Sequence, residues 1–532
     1  MTCAAREWDF IVVGAGSAGA TAAARLSESG AWCVLLLEAG GNPSPLSLIP
    51  ALVEHGLTSR VMNWHYLGEP DPTLKNRRLT WAAGRALGGS SSINGMVFGR
   101  GLPADYAAWE AAGNPGWGWR DMLPAFKKLE TWTGPPHETR GTTGPIHVRP
   151  FVETESSCES VLRALIDAGT PYVEDYCTGI THGIGRTQAS QKNGFRHGTA
   201  RAYLRPAHPR KNLRILRHCR ADRLLISQGR CTGVEVFHRG VREKIRARRE
   251  VILAAGAIGT PKLLLLSGIG GPNSLAPHAI QIIHELPGVG QNLNDHANIK
   301  LSAFVGTKTY NTARRLPAAL RHAARLALTG TGPASSPANH VQAFVKTESF
   351  LPHADIQIQL MPFGFGTEAE MKQNGITAVI SPCSPRARGQ ITLRDKNPAS
   401  PPVITMPLLS DPNDIATLIR GCDLTLAALA AGPAKTHGAR LYAPHTPPTG
   451  KVAWLSFMRE TAALNWHPTG TCRMGQNPET GAVVTENLAV HGLTGLSIAD
   501  ASIMPTVPSG NTNAPTIAIA ERAATFIAAR AA

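Results

Sequence analysis

Three glycines near the start of the chain have the spacing of a dinucleotide-binding turn. They are Gly14, Gly16 and Gly19, and Glu38 follows 24 residues after the first of them. The first glycine permits a sharp turn after a strand, the second admits a pyrophosphate against bare backbone, and the third lets the next helix pack closely. An acid at the position of Glu38 accepts hydrogen bonds from a ribose diol and disfavours a 2′-phosphate. These residues predict a dinucleotide site, and by themselves they leave NAD and FAD open.

A histidine late in the chain has the chemistry of a general base. His467 lies within the segment NWHPTGTCRMG, residues 465–475. An imidazole has a pKa near neutrality, so it can accept the hydroxyl proton of an alcohol while a hydride leaves the adjacent carbon. The chain has 19 histidines, so residue type alone does not single this one out.

The glycine turn needs a strand before it and a helix after it, and the sequence predicts both. Phe10 to Val13 is an apolar run typical of a buried strand, Ser17 to Leu26 indicates an Ala-rich helix, and Cys33 to Leu37 indicates a second strand. Later segments predict a small antiparallel sheet over 213–237, a strand over 251–255, a helix over 414–431, a strand over 496–499 and a closing helix over 515–531. We therefore expect an α/β nucleotide-binding domain, built from non-contiguous segments, and a second α+β domain.

Composition is typical of a soluble globular protein, with 43% hydrophobic and 17% charged residues among 532. The net charge of +16 comes from basic residues scattered in ones and twos, so we expect a solvated basic face and no nucleic-acid partner. The most apolar window, 251–271, is broken by glycine, proline and lysine and cannot span a membrane. Nine cysteines lie far apart without CxxC or metal-ligand spacing, so we expect single thiols in a reducing compartment and no disulfide framework. The N-terminus has no apolar signal core. We expect a cytoplasmic protein with no transmembrane segment and no metal site.

Four blocks of the sequence closely resemble the glucose–methanol–choline (GMC) oxidoreductases, which are FAD-dependent alcohol oxidases and dehydrogenases. The blocks follow the family's order between residues 9 and 524. They are GAGSAG with LLLEAGG, GRALGGSSSING at 84–95, GAIGTP through SGIG at 256–270, and NWHPTGTCRMG at 465–475 with DASIMP at 500–505 and GNTNAP at 510–515. The likeness is greatest to bacterial choline dehydrogenase-like and hydroxymethylfurfural oxidase-like members. It implies the GMC oxidoreductase fold, in which an α/β FAD-binding Rossmann-like domain carries an α+β substrate-binding domain.

The resemblance implies bound FAD and assigns residues to it. Some choline oxidases carry a histidine covalently bound to FAD just before the position of Asn94, and this chain has Ile93 there, so we expect non-covalent FAD. Trp466 is expected beside the flavin, with an ordinary core tryptophan as the alternative. The expected FAD contacts are Gly14, Gly16, Ser17, Ala18, Gly19, Glu38, Ala39, Arg85, Gly88, Gly89, Ser90, Asn94, Gly95, Trp466, Asp500, Ala501, Asn511 and Thr512.

The predicted domains are discontinuous. We expect residues 1–150, 205–305 and 451–532 to form the FAD-binding domain, and residues 151–204 and 306–450 to form the substrate-binding domain.

The resemblance also implies a reaction, in which a primary alcohol becomes an aldehyde by hydride transfer to flavin N5. His467 is the expected base, and Asn511 is the expected second hydrogen-bond partner of the substrate oxygen. We expect an acceptor-dependent, choline-like alcohol dehydrogenase; the alternative is an alcohol oxidase of the aryl or furfuryl type that produces hydrogen peroxide. The expected partners are a small-molecule alcohol and oxygen or another electron acceptor, and the oligomeric state stays open.

Other functions explain less of the sequence. An NAD dehydrogenase using the glycine turn alone leaves the blocks at 84–95 and 465–475 unexplained. A lyase or decarboxylase on the same scaffold is disfavoured by the pair His467 and Asn511, and a basic nucleic-acid-binding flavoprotein by the scattered charges.

Substrate residues are less well specified by the sequence. A choline site would need acidic and aromatic residues around the quaternary ammonium. No such cage is recognisable with 6% aromatics and a net charge of +16, which favours uncharged or anionic alcohols. We expect Trp64 and Phe98 on the substrate side, and we interpret 292–296, including His296, as structural.

Overall fold

The N-terminal segment folds as a strand, a turn, a helix and a second strand. The computed structural model describes residues 7–313 and 316–531. Strand Glu7–Val13 enters the glycine turn, helix Ser17–Leu26 leaves it, and strand Val34–Leu37 pairs in parallel with the first strand. Every residue of the second strand is buried, as expected for an apolar run inside a parallel sheet covered on both faces.

The first sheet has seven strands and is mixed. In spatial order they are Leu213–Leu216, Val34–Leu37, Glu7–Val13, Val241–Leu253, Arg230–His238 and Cys219–Ser227, with Leu496–Ile498 beside Val241–Leu253. The prediction of one antiparallel sheet over 213–237 is wrong for its first part, since Leu213–Leu216 pairs in parallel with Val34–Leu37. Within 213–237, Cys219–Ser227 and Arg230–His238 form an antiparallel hairpin, and Arg230–His238 also pairs antiparallel with Val241–Leu253.

The second sheet also has seven strands, and all its pairings are antiparallel. The order is Arg440–Ala443, Ala297–Phe304, Gly375–Pro382, Ile356–Met361, Val341–Val345 and Gly183–Arg186, with Ala463–Leu464 beside Ala297–Phe304. Alternate side chains form an apolar face that packs on helices Ser156–Asp167 and Pro412–Ala430. The opposite face carries polar side chains, including Asn298, Gln342 and Gln359.

Smaller sheets and the remaining helices complete the described chain. Four strands, Glu130–Trp132, Ile146–Pro150, Gln188–Lys192 and Phe195–Arg196, form one sheet, and three two-stranded ribbons pair Tyr66–Leu67 with Thr80–Trp81, Ile269–Gly270 with His284–Glu285, and Gln390–Thr392 with Val403–Thr405. The other helices are Val53–Thr58, Pro103–Ala111, Trp119–Leu129, Arg205–Ala207, Gly256–Leu266, Pro272–Leu275, Tyr310–Ala313, Leu316–Thr329, Glu368–Met371, Gly432–Thr436, Gly450–Thr461 and Asn513–Ala531.

Each large sheet has its own hydrophobic core, which confirms the predicted combination of an α/β unit and an α+β unit. The exact domain boundaries remain a prediction; strand Ala297–Phe304, which belongs to the second sheet, lies at the predicted boundary at 305. Over residues 7–313 and 316–531, no helix is both long and apolar enough to cross a membrane.

The cysteines are not all single thiols. Seven are free and buried, but Cys33 is disulfide-bonded. The inference of unpaired thiols is therefore wrong for Cys33, while Cys3 lies outside the described residues.

Candidate active site

The glycine turn is built from close backbone contacts. Gly14 has φ +98°, and a Cβ placed on it would lie 2.5 Å from the carbonyl oxygen of Ala254. A Cβ on Gly19 would lie 1.8 Å from the carbonyl oxygen of Gly14, so the helix can approach the turn only if residue 19 is glycine. Gly16 is the N-cap and offers no side chain, which leaves the first N–H groups of the helix open toward an anion.

A second glycine-rich segment lies directly against this turn. The N–H of Gly88 donates to the carbonyl oxygen of Ala15 at 2.8 Å. Gly89 has φ +51°, and a Cβ on it would lie 2.6 Å from the Cα of Gly16. Together the two segments form a groove floored by backbone, to which ligand phosphates can come close.

Glu38 closes one side of the groove. Its two carboxylate oxygens accept from the N–H of Ala15 at 2.9 Å and the N–H of Gly40 at 2.7 Å. Burial raises the pKa of Glu38 to about 7, against the lowering effects of these hydrogen bonds and of Arg85. Each carboxylate oxygen can accept a further hydrogen bond, so the side chain can hold the turn and a ribose hydroxyl together.

His467 lies in a buried group of polar side chains at the edge of the second sheet. Its N–H donates to Asp295 Oδ1 at 2.9 Å, its Nδ1 lies 3.0 Å from His296 Nδ1, and its Nε2 lies 3.2 Å from Asn511 Nδ2. Burial, aided by the neighbouring His296, holds the pKa of His467 well below 6.5. The imidazole is therefore neutral at pH 7 and ready to accept a proton.

These contacts define the tautomers of both histidines. The Asn511 amide donates to His467 Nε2, so the proton of a neutral His467 is on Nδ1 and is donated to His296 Nδ1. His296 then carries its proton on Nε2, which lies 3.3 Å from the carbonyl oxygen of Cys383. The basic lone pair of His467 is thus on the atom that faces Asn511.

The amide of Asn511 is oriented by two glutamines of the second sheet. Gln342 Nε2 and Gln359 Nε2 donate to Asn511 Oδ1 at 3.2 and 3.4 Å. Because the oxygen faces these donors, the Asn511 NH₂ group faces His467. A hydroxyl oxygen beside both Asn511 Nδ2 and His467 Nε2 could thus accept from the amide and donate to the imidazole.

The sequence did not reveal the contact between His296 and His467, and the interpretation of 292–296 as merely structural missed it. Asp295 accepts from the N–H of both His296 and His467, and burial raises its pKa to about 8, while burial lowers the pKa of His296 to about 4. Potential metal-ligand atoms of these three residues lie within 4.8 Å of one another. However, the Nδ1 atoms of the two histidines form a hydrogen bond with each other. The sequence feature that could have indicated this contact is the run of three polar residues at 294–296, directly before strand Ala297–Phe304.

Most of the predicted site residues line a single cavity of about 1790 Å³. Gly19 and Gly88 lie behind its wall, where they permit backbone packing. The predicted residues on the wall are Gly14, Gly16, Ser17, Ala18, Glu38, Ala39, Arg85, Gly89, Ser90, Asn94, Gly95, Trp466, His467, Asp500, Ala501, Asn511 and Thr512.

The predicted aromatic residues occupy different environments. Trp466 lines the cavity, is 40% exposed and donates from Nε1 to the carbonyl oxygen of Thr80 at 2.8 Å, so it is not a core tryptophan. Trp64 also lines the cavity and stacks on Tyr66 at 5.7 Å. Phe98 is buried and does not itself line the cavity, although the preceding Val97 does, so its place on the substrate side stays a prediction.

The C-terminal helix begins at the same cavity. Ser17 Oγ donates to Asn513 Oδ1 at 2.7 Å, which joins the start of helix Asn513–Ala531 to the glycine turn. Asp500 accepts from the Gly256 N–H at 2.8 Å and from Thr260 Oγ1 at 2.6 Å. Ser17 and Asn513, which are 496 residues apart in the sequence, thereby meet at one site.

The chain matches two family models. Residues 8–298 and 385–520 match the N-terminal and C-terminal models described as GMC oxidoreductase. Among curated relatives, an oxygen-dependent choline dehydrogenase of Sinorhizobium medicae is 36% identical over 98% of this chain and 95% of its own, and one of Brucella anthropi is 34% identical over 98% and 96%.

Solved structures agree with this match. Pyridoxine 4-oxidase from Mesorbium loti superposes with a TM-score of 0.87 at 28% identity, covering 97% of this chain and 98% of its own. A formate oxidase variant from Aspergillus oryzae gives 0.92 at 26% identity, covering 99% of each chain.

Proposed function

The chain belongs to the GMC oxidoreductase family, and from that premise we propose that Asn511 orients a primary alcohol and His467 accepts its hydroxyl proton at the wall of the cavity, as the alcohol is oxidised by FAD to an aldehyde. The enzyme is an FAD-dependent oxidoreductase acting on the CH–OH group of alcohols. The observation that supports the residue assignment is the 3.2 Å contact between Asn511 Nδ2 and His467 Nε2 at the cavity wall.

The residues fit FAD. The glycines leave a cradle that Cβ atoms would fill, and the Nε of Arg85 is buried at the cavity wall with no partner among the described residues. We assign the diphosphate to the turn at 14–19 and the ribose to Glu38. Ile93 stands at the position where some relatives attach FAD covalently, and its hydrocarbon side chain cannot form that bond.

The part played by this chain is proton acceptance and orientation. Asn511 donates a hydrogen bond to the hydroxyl oxygen, and His467 Nε2 accepts the hydroxyl proton. When bound, FAD supplies the acceptor for the hydride, at flavin N5. The alcohol becomes an aldehyde by losing its hydroxyl proton to His467 and a hydride to the flavin.

Two electron acceptors remain to be distinguished. The proposed activity is an acceptor-dependent, choline-like dehydrogenase, and the alternative is an oxidase that releases hydrogen peroxide. The similarity to two solved oxidases supports the alternative. Parallel assays with an artificial dye and with oxygen, with peroxide measured directly, separate them.

We also propose the predicted domain division, with 1–150, 205–305 and 451–532 as the FAD-binding domain and 151–204 and 306–450 as the substrate-binding domain. The cytoplasmic location is a proposal as well. The seven buried free thiols support it and the Cys33 disulfide opposes it; thiol labelling of the protein as it is isolated from its cell of origin decides between them.

The test of the proposed roles follows flavin bleaching by alcohol without oxygen. His467→Ala should lower the rate constant roughly 10²–10⁴-fold, the usual contribution of a general base. Asn511→Ala should cost only about 2- to 13-fold, the equivalent of a neutral hydrogen bond. Flavin absorbance should persist in both variants. Bleaching of His467→Ala at the parent rate would exclude His467 as the base.

A further inference from the structure

One lysine stands on the polar face of the second sheet. Lys300 lies on strand Ala297–Phe304 and lines the cavity, with its ammonium 4.5 Å from the centre of the Phe365 ring. Among residues 7–313 and 316–531, the ammonium has no ion pair and no hydrogen-bond acceptor. A cation at a cavity wall without a protein anion is available to a ligand.

Strand register relates Lys300 to the proposed catalytic pair. Lys300 is opposite Val379, Val379 is opposite Gln359, and Gln359 is opposite Gln342, so one row crosses four strands. Both glutamines contact Asn511. Neighbouring strands lie about 4.8 Å apart, which places the Lys300 backbone about 10 Å from that of Gln359. Lys300 and the hydroxyl-binding pair line the same cavity, and Gln359, which contacts Asn511, lies two strands from Lys300 along this row.

The wall around this row consists of apolar side chains and neutral amides such as Gln359 and Asn298. Met361, Phe363 and Phe365 line it beside Val379. Of the described residues that line the cavity, the carboxylates are Glu38, Glu54 and Asp500. Glu38 and Asp500 are bonded to backbone N–H groups at the dinucleotide end, and Glu54 is exposed on the short helix Val53–Thr58.

We propose that Lys300 selects alcohols that carry a carboxylate at the end of the molecule opposite the reacting hydroxyl. This inference rests on the proposed function, because it needs the hydroxyl at His467 and Asn511. The apolar side chains contact the middle of such a substrate, and the ammonium forms a charge-assisted hydrogen bond with its acid. A quaternary ammonium alcohol such as choline places its charge against Lys300 and is disfavoured, which separates this chain from relatives named for choline.

The kinetic test uses 4-(hydroxymethyl)benzoate and its neutral amide, 4-(hydroxymethyl)benzamide. The parent enzyme should prefer the benzoate in kcat/KM by roughly 10- to 100-fold, the scale of a hydrogen bond between charged groups. Lys300→Met should abolish the preference and leave the amide rate within about threefold, and Lys300→Arg should retain the preference. Lys244→Met, on the exposed part of strand Val241–Leu253, removes one positive charge elsewhere and should change nothing.

A binding measurement keeps this inference separate from the proposed reaction. 4-Methylbenzoate has no hydroxyl, and its dissociation constant, read from the flavin spectrum, should be 10- to 100-fold lower than that of 4-methylbenzamide in the parent and equal to it in Lys300→Met. Equal affinities in the parent, an unchanged preference in Lys300→Met, or faster oxidation of choline than of the benzoate would overturn the role of Lys300. If 4-methylbenzoate binds selectively but no alcohol bleaches the flavin, the proposed reaction is wrong, whereas the proposed carboxylate-binding role of Lys300 is supported.

Discussion

Replacing His296 by leucine tests whether the second histidine supports the base. In the structure His296 Nδ1 accepts a hydrogen bond from His467 Nδ1 across 3.0 Å in a buried environment. When His467 takes the substrate proton, this neutral hydrogen bond becomes a charged one. Neutral bonds contribute about 0.5–1.5 kcal/mol and charged ones about 1.5–3 kcal/mol. Loss of the difference, about 1–2 kcal/mol, slows the reaction by about 5- to 30-fold, since 1.36 kcal/mol is tenfold.

The assay is stopped-flow reduction of the bound flavin by saturating alcohol without oxygen. His296→Leu keeps a similar volume without an acceptor, and His296→Asn offers an amide oxygen near the position of Nδ1. We expect the first variant to slow bleaching by 5- to 30-fold and the second to recover to within about threefold. A parent rate in His296→Leu would refute the hydrogen-bond argument. Equal slowing in both variants would attribute the effect to packing.

Three further results are expected. Because burial holds the pKa of His467 well below 6.5, the imidazole stays neutral as pH falls from 8 to 6.5. The rate of flavin bleaching should therefore be constant over that range and decline only at lower pH. An inflection of the rate above pH 6.5 would contradict this. Glu38→Gln replaces one carboxylate oxygen with an NH₂ group, which cannot accept from the N–H of Ala15 or Gly40. It also removes the charge that would hold the ribose, so the FAD dissociation constant should rise by about 10- to 100-fold in spectroscopic titration. An unchanged constant would place the ribose elsewhere. Gly89→Ala puts a Cβ 2.6 Å from the Cα of Gly16, so the purified variant should lack flavin and be colourless. The control Gly229→Ala is also at positive φ, but its Cβ meets no atom within 4 Å, so that variant should stay yellow. Equal flavin content in the two variants would show that the groove can widen.

Local sequence determined the dinucleotide-binding unit. The spacing of Gly14, Gly16 and Gly19 between an apolar run and an Ala-rich segment specifies a strand, a turn and a helix, and helix Ser17–Leu26 has the predicted bounds. These features follow from backbone conformation and periodicity, which act over a few residues. The segment around His467 was recognisable in a different way, through its resemblance to a family motif.

Tertiary structure decided which distant residues meet. His296 and His467 are 171 residues apart, and nothing in their separate segments indicates that their rings form a hydrogen bond. The parallel pairing of Leu213–Leu216 with Val34–Leu37 was missed because a strand's partner depends on how the whole sheet assembles.

The placement of Lys300 shows the same limit in the substrate region. Its strand alternates between apolar and polar residues, so the sequence indicates two faces without showing what each faces. Register across four neighbouring strands aligns Lys300 with Gln359 and Gln342. These glutamines contact Asn511, which lies just before the last helix. Sequence therefore predicted the cofactor turn and the candidate base His467, whereas the position of Lys300 in the cavity depends on long-range packing of strands, which no local spacing encodes.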